Sequence, residues 1–169
     1  MIQWIYYPLS DEPTELARKV VNVFESVQDD IDVANTGGLN SNQVLSKLRP
    51  GLESAGFVVE HGRNAAQRIR IPVLFGMNGK PQKCFDADAY NAQEQFVLEV
   101  EAGRGYLNNQ FLKDLFEACM MHGVQYVAIA VRNIYINVRD FDQIRAFFDT
   151  LYASNRLHLP LQGVLLIGY

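Results

Sequence analysis

The chain has 169 residues, of which 49% are hydrophobic and 20% charged, as expected for one ordinary globular domain. Its formal charge of −4 argues against a protein that coats nucleic acid by bulk electrostatics, but not against an enzyme that contacts nucleic acid locally. No stretch reaches the roughly 18 apolar residues that a membrane span needs, and the N-terminus lacks the pattern of a signal peptide. We therefore expect a single cytoplasmic domain over residues 1–169 with no membrane association.

The N-terminal part is predicted to be helical. Apolar residues recur at helical spacing up to about Gln28, behind a candidate N-cap at Ser10. A loop at 35–38 follows. A second helix is predicted over about 40–55, with a kink or a break at Pro50.

The middle of the chain is predicted to change to strands. Pro72 places the second strand near an edge or a bulge, and Asn78-Gly79 favours a hairpin turn after it. We expect the four strands to form an antiparallel meander. Their predicted ranges are 56–60, 68–75, 83–90 and 96–102.

Helical spacing resumes after the fourth strand. One helix is predicted from Asn108 or Asn109 to Gly123, and a later one is predicted to be capped by Asp140. The apolar runs 126–131 and 164–167 are typical of strands buried on both faces. Together these elements predict an α/β fold: a mixed central sheet, including the antiparallel meander, flanked by helices.

Acidic residues cluster on the third and fourth predicted strands. Because side chains alternate along a strand, Asp86 and Asp88 share one face, and Glu99 and Glu101 share one face of the next strand. A tight turn pairs the two strands. The acids can therefore converge, or they can instead point into solvent from a half-exposed hairpin.

Converging carboxylates repel each other and lose hydration, which costs free energy unless a cation lies between them. Oxygen ligands without His or Cys select Mg²⁺, Mn²⁺ or Ca²⁺ over zinc. Cys84 and Cys119 lie in apolar runs without metal-binding spacing, so we expect reduced, buried thiols. The three histidines are scattered, and we expect them to be structural or exposed.

The order of strand Asp, turn, strand Glu-x-Glu, helix and buried strand resembles the PD-(D/E)xK nuclease superfamily, the restriction-endonuclease-like fold. Within it, the pattern is similar to type II restriction enzymes that carry Glu-x-Glu instead of Glu-x-Lys. The likeness covers about 57–131, and the run 85–91 resembles the Asp-aromatic-Asn stretch before the turn in such proteins. On this likeness the metal-binding Asp falls on Asp88, with Asp86 as the alternative. Two positions depart from the family: no Pro precedes the Asp, and Glu101 occupies the lysine position.

The resemblance implies a nuclease that needs Mg²⁺, with Mn²⁺ as the alternative ion. Asp88 and Glu99 are expected to hold the ion, with the backbone carbonyl of Val100 between them. Glu101 is expected to bind the same ion or to orient the attacking water. Glu53 and Glu60 lie upstream of the core, where a further acid often joins the family's site.

Several residues after the acidic strands are candidates for binding phosphate or for supplying the missing positive charge. Arg104 could contact phosphate, and the helix N-terminus at Asn108 or Asn109 favours anions. The alternative is an ordinary turn and helix cap. Lys113, one helical turn further on, could replace the lysine that the Glu-x-Lys pattern would supply.

Two classes of function remain open from the sequence. The first is a metal-dependent nuclease that hydrolyses DNA, acting as a homodimer or with a partner protein that supplies specificity. The second is a catalytically inactive protein of the same fold that binds DNA or protein, which Glu101 and the acidic pI near 5.3 favour. A carboxylate-based hydrolase of a small molecule is a third reading, with no specific motif behind it.

Overall fold

A computed structural model describes residues 1–62, 64 and 66–169 of the chain. The strands are β1 Gln3–Tyr7, β2 Val58–Val59, β3 Ile69–Phe75, β4 Pro81–Ala87, β5 Ala89–Asn91, β6 Phe96–Glu101, β7 Tyr126–Val131 and β8 Gly163–Gly168. The helices are α1 Glu15–Ser26, α2 Gln28–Ile31, α3 Val33–Thr36, α4 Ser41–Ser54, α5 Gln110–Met120 and α6 Asp140–Ser154. None of the helices in these ranges is both long enough and apolar enough to cross a membrane.

Six strands form one mixed sheet in the order β1-β8-β7-β6-β5-β2. The central strands β6, β7 and β8 run parallel, and the outer strands pair antiparallel with their neighbours. Helices cover both faces. The predicted α/β class, a mixed sheet flanked by helices, is confirmed.

Two hydrophobic clusters, one on each face, hold the helices to the sheet. One contains the inner residues of α1 and α4, such as Phe24 and Leu48, packed on Leu98. The other contains residues of α5 and α6, such as Phe111 and Phe148. The predicted burial of the 126–131 strand is confirmed, because Val127 to Val131 have no exposed surface.

The predicted meander is interrupted by a separate hairpin. Among the described residues, strands β3 and β4 pair only with each other. Their register shifts after Pro72, in agreement with the predicted edge or bulge there. The predicted single strand over 83–90 was wrong, because it is divided at Asp88 into β4 and β5. The amide of Val100 donates to the Asp88 carboxylate at 2.7 Å, and the regular β5–β6 pairing ends at Ala89. At this point the Asp88 side chain, and not a backbone carbonyl of the neighbouring strand, accepts the hydrogen bond from the Val100 amide.

Two predicted N-caps were wrong, those at Ser10 and Asp140, whereas the predicted start of the second helix at Asn40 or Ser41 is confirmed. Helix α1 is capped by Thr14, whose hydroxyl accepts from the Ala17 amide, and not by Ser10. Helix α4 passes through Pro50 without dividing, and its start is fixed by a reciprocal Asn40–Gln43 capping box. Asp140 is the first residue of α6 rather than its cap.

Candidate functional site

Three acids lie side by side at one end of the sheet, one in β6 and two at the residues that adjoin β2 and β5. Residues Val59, Ala89 and Leu98 are paired across β2, β5 and β6. The next position along each strand is Glu60, Asp88 and Glu99. The Glu60 amide donates to the Asp88 carbonyl at 2.8 Å, which extends the pairing of β2 by one residue. We call Glu60, Asp88 and Glu99 the carboxylate row.

Strand β6 places its acids on one face, as the alternating pattern predicted. Phe96, Leu98 and Val100 pack in the cluster beneath α1 and α4. Glu99 and Glu101 therefore lie on the opposite face, the one that α5 covers, and both are partly buried there. The sequence interpretation of these two side chains is confirmed.

Helix α5 contributes a buried acid that the sequence analysis missed. Asp114 is only 4% exposed, and Gln110 Nε2 donates to its Oδ1 at 3.0 Å. Its Oδ2 is buried and has no hydrogen-bond partner in the described part of the chain. A signal existed in the sequence: Gln110, Lys113, Asp114 and Glu117 recur at helical spacing as a polar stripe on an otherwise apolar helix.

A cavity of about 750 Å³ opens over these acids. Its lining includes the carboxylate row, Glu101 and the polar stripe of α5. The cations of the β3–β4 hairpin line the same cavity. Those hairpin cations are Arg68, Arg70 and Lys83. The cavity is therefore acidic where β6 meets α5 and basic along the hairpin, and this combination suits a metal ion and a phosphate group together.

Burial dominates the electrostatics of the carboxylate row. It raises the pKa of Asp88 from 3.8 to about 7, even though the Val100 amide favours the charged form. Burial, followed by repulsion from Asp88, holds the pKa of Glu99 well above its usual range. The pKa of Glu60 is also raised, again mainly by burial. Without a cation, burial therefore disfavours the charged form of each acid in the row.

The two acids between β6 and α5 behave in the same way. Burial and then repulsion from Asp114 raise the pKa of Glu101 to about 8. Burial raises the pKa of Asp114 itself to about 6, although its bond from Gln110 favours the charged form. Lys113 opposes these shifts, because its positive charge lowers the pKa of Asp88, Glu101 and Asp114.

A hard divalent cation needs several oxygen ligands. Over residues 1–62, 64 and 66–169, no three His, Cys, Asp or Glu side chains are grouped closely enough to form a ready-made metal site. The acids nevertheless offer only oxygen ligands, and burial disfavours their charged forms. Mg²⁺ commonly uses one or two carboxylates and keeps several waters, so these residues suit it without a three-residue cage.

The remaining predicted site residues fall into two groups. Lys113 and Val100 line the cavity, as does Asp86, which forms an ion pair with Arg68 at 2.9 Å. Glu53 lies 3.6 Å from His61 and is not among the described residues that line the cavity. None of the residues predicted to contact phosphate is among the described residues that line the cavity. Those predicted residues are Arg104, Asn108 and Asn109.

Two other expectations concern residues around the site. Cys84 and Cys119 are free, and each is partly rather than fully buried. Asn109 is the N-cap residue of α5, one of the two predicted positions, but its backbone is left-handed and its side chain makes no capping bond. Comparison with protein-family models and with curated protein sequences finds no match for this chain.

Proposed function

We propose that this chain is a divalent-metal-dependent nuclease that hydrolyses DNA phosphodiester bonds. The observation that carries the proposal is the carboxylate row, which faces a cavity that also holds the cations of a basic hairpin. The PD-(D/E)xK resemblance of the Glu-x-Glu pattern supports the same class of reaction. The proposed relationship to restriction endonucleases stays a prediction.

Asp88 and Glu99 are the residues that would hold Mg²⁺ or Mn²⁺, with the Val100 carbonyl as a further oxygen. The bound ion would supply an activated water and would stabilise negative charge on the phosphate. Glu60 lies next to Asp88 and completes the row. Glu101 lies two residues from Glu99 on the same face of β6 and, in its ionised form, is suited to accept a proton from the attacking water.

Lys113 supplies positive charge where the Glu-x-Lys pattern would have a lysine. It lines the cavity and lies 3.6 Å from Glu117 on the next turn of α5. Its charge stabilises the ionised forms of Asp88 and Glu101. We therefore assign Lys113 to stabilising the charged form of the site, from a helix rather than from β6.

The hairpin cations are better placed than the helix N-terminus to hold a phosphate at the cavity. Arg70 and Lys83 lie on opposite strands of the β3–β4 hairpin, and both line the cavity. Asp86 lies 3.9 Å from Arg70, so its negative charge balances part of the positive charge of the β3–β4 hairpin. We propose that Arg70 and Lys83 contact the DNA backbone on either side of the scissile phosphate.

A second candidate is a catalytically inactive protein that binds DNA or another protein. Two observations favour it: Glu101 occupies the lysine position, and the described residues form no ready-made three-ligand metal site. Cleavage of both DNA strands would require a homodimer or a partner protein, and this also stays a prediction.

Incubation of the purified protein with plasmid DNA and Mg²⁺ or Mn²⁺ tests the proposal. We expect metal-dependent nicking or linearisation that EDTA stops and that Glu99→Gln abolishes. Glu25→Gln is the matched control, because Glu25 is an exposed acid on α1.

Cleavage that persists in Glu99→Gln would place the activity elsewhere or in a contaminant. An absence of cleavage by the native protein, together with DNA binding, would favour the inactive binding protein.

A further inference from the structure

A second cavity lies beyond Glu60, at the end of the carboxylate row and against helix α4. Its volume is about 410 Å³, and residues of α4 and of the segment that follows β2 line it. The two cavities adjoin at two places. Glu60 lines both of them, and Ser41 and Asn42, which are consecutive at the start of α4, line one cavity each. A long ligand that occupies the first cavity can therefore extend into the second.

Arg49 supplies the positive charge of this second cavity. Its Nη2 donates to the Glu60 carbonyl at 3.0 Å, which holds the guanidinium beside the outermost member of the row. In the described part of the chain its buried Nε has no hydrogen-bond partner, and no acid forms an ion pair with it. A guanidinium has five N–H donors whose fork matches the oxygens of a carboxylate or a phosphate. Arg49 is thus oriented by the fold, and its charge is not balanced by a described acid.

Other polar side chains continue the lining along one face of α4. Asn42, Ser46 and Arg49 follow one another at helical spacing and all line the second cavity. His61 lines it as well, and its imidazole adds a further N–H donor. We call this space, lined by these four side chains and by Glu60, the Arg49 cavity.

The acids near the Arg49 cavity are engaged elsewhere. Glu53 lies 3.6 Å from His61 and is not among the described residues that line the cavity. Besides burial, the pKa of Glu60 responds to the charges of Arg68 and Asp86. Arg68 and Asp86 line the first cavity and not the second. The carboxyl group of Glu60 is therefore part of the charge pattern of the first cavity.

We propose that the Arg49 cavity binds a backbone phosphate of the DNA strand, next to the phosphate held over the carboxylate row. This inference rests on the proposed function and adds the path of the strand, from the β3–β4 hairpin across the row to α4. A single residue, Glu60, separates the row from Arg49, and one residue of a strand spans about 3.3 Å. Phosphates of one DNA strand follow each other about every 3.4 Å along the duplex axis, so neighbouring phosphates can occupy the two cavities.

Binding of a fluorescent duplex oligonucleotide in EDTA, followed by anisotropy over a range of salt concentrations, tests the inference. We expect Arg49→Ala to weaken binding about tenfold at 0.1 M salt and to lower the slope of log K against log salt by about 1. Lys47→Ala is the matched control, because Lys47 is an exposed cation on α4 and is not among the described residues that line either cavity. It is expected to keep the slope of the native chain.

A second variant tests the cavity without removing the bond between Arg49 and Glu60. Ser46→Asp places a negative charge in the cavity lining and should also weaken DNA binding, because it repels a phosphate there. Ser54→Asp is the control for this variant, since Ser54 is exposed on α4 and is not among the described residues of the cavity lining. It should bind DNA as the native chain does.

The assay contains no free divalent metal ion, so it is independent of cleavage. Unchanged binding in either Arg49→Ala or Ser46→Asp, or an equal loss in Lys47→Ala, would overturn the Arg49 cavity as a phosphate site and leave the proposed nuclease in place. An absence of DNA binding by the native chain would also overturn it. The expected binding results without any cleavage in Mg²⁺ or Mn²⁺ would support the phosphate site and overturn the proposed nuclease alone.

Discussion

Substitution of Asp88 by Asn should stabilise the metal-free protein at high pH. Burial raises the pKa of Asp88 from 3.8 to about 7. A carboxyl group whose pKa is raised on folding stabilises the folded state fully at low pH, and that stability is lost as pH rises through the folded pKa. This rise in the pKa of Asp88 corresponds to a loss of roughly 4 kcal/mol of folding stability between about pH 4 and pH 8.

The Asn side chain isolates this electrostatic contribution. Asn has nearly the same shape, and its carbonyl oxygen can still accept the bond from the Val100 amide. Roughly 2 to 3 kcal/mol of the effect should fall between pH 5 and pH 8. The free energy of unfolding should therefore decrease more steeply over this range in the native chain than in Asp88→Asn.

Urea unfolding in EDTA at pH 5 and pH 8 measures the difference. Glu25→Gln, at an exposed position, should follow the native chain. Equal pH dependence of the native chain and Asp88→Asn would refute the reasoning, because Asp88 would then ionise without the penalty that burial imposes.

Three further predictions follow from the charges around the cavity. Mg²⁺ should raise the melting temperature more at pH 8 than at pH 5, because protons occupy the acids at pH 5; an equal rise at both pH values would contradict this. Arg70→Ala combined with Lys83→Ala should weaken binding to a duplex oligonucleotide and lower the slope of log K against log salt by about 2. Arg156→Ala should leave the slope unchanged, because Arg156 is exposed and is not among the described residues that line the cavity. Lys113→Met should shift the acid limb of the pH–rate profile upward, because Lys113 lowers the pKa of Asp88; an unmoved profile would remove Lys113 from the site.

The placement of the β6 acids could be predicted because it depends on local geometry. Alternation along a strand assigns Glu99 and Glu101 to one face whatever the partner strands are. The neighbouring central strand could also be predicted locally, from the continuous apolar run at Tyr126–Val131. Each of these conclusions requires only the sequence of the strand itself.

The rest of the site depends on long-range pairing. Nothing local shows that the chain leaves the β3–β4 hairpin at Asp88, because that break depends on the amide of Val100, twelve residues away. Asp114 was missed because its role depends on which face of α5 meets β6. Glu60 joins the row through its bond to the Asp88 carbonyl, another contact distant in sequence.

Isothermal titration calorimetry of Mg²⁺ into the metal-free protein at pH 8 tests the central claim most directly, since that claim is that the acids form a cation site. We expect saturable binding in the native chain, with protons released in proportion to the acids that ionise. The combined Asp88→Asn and Glu99→Gln variant should lose the site assigned to that pair and remain folded. Unchanged binding in this variant, or no binding by the native chain, would contradict the account.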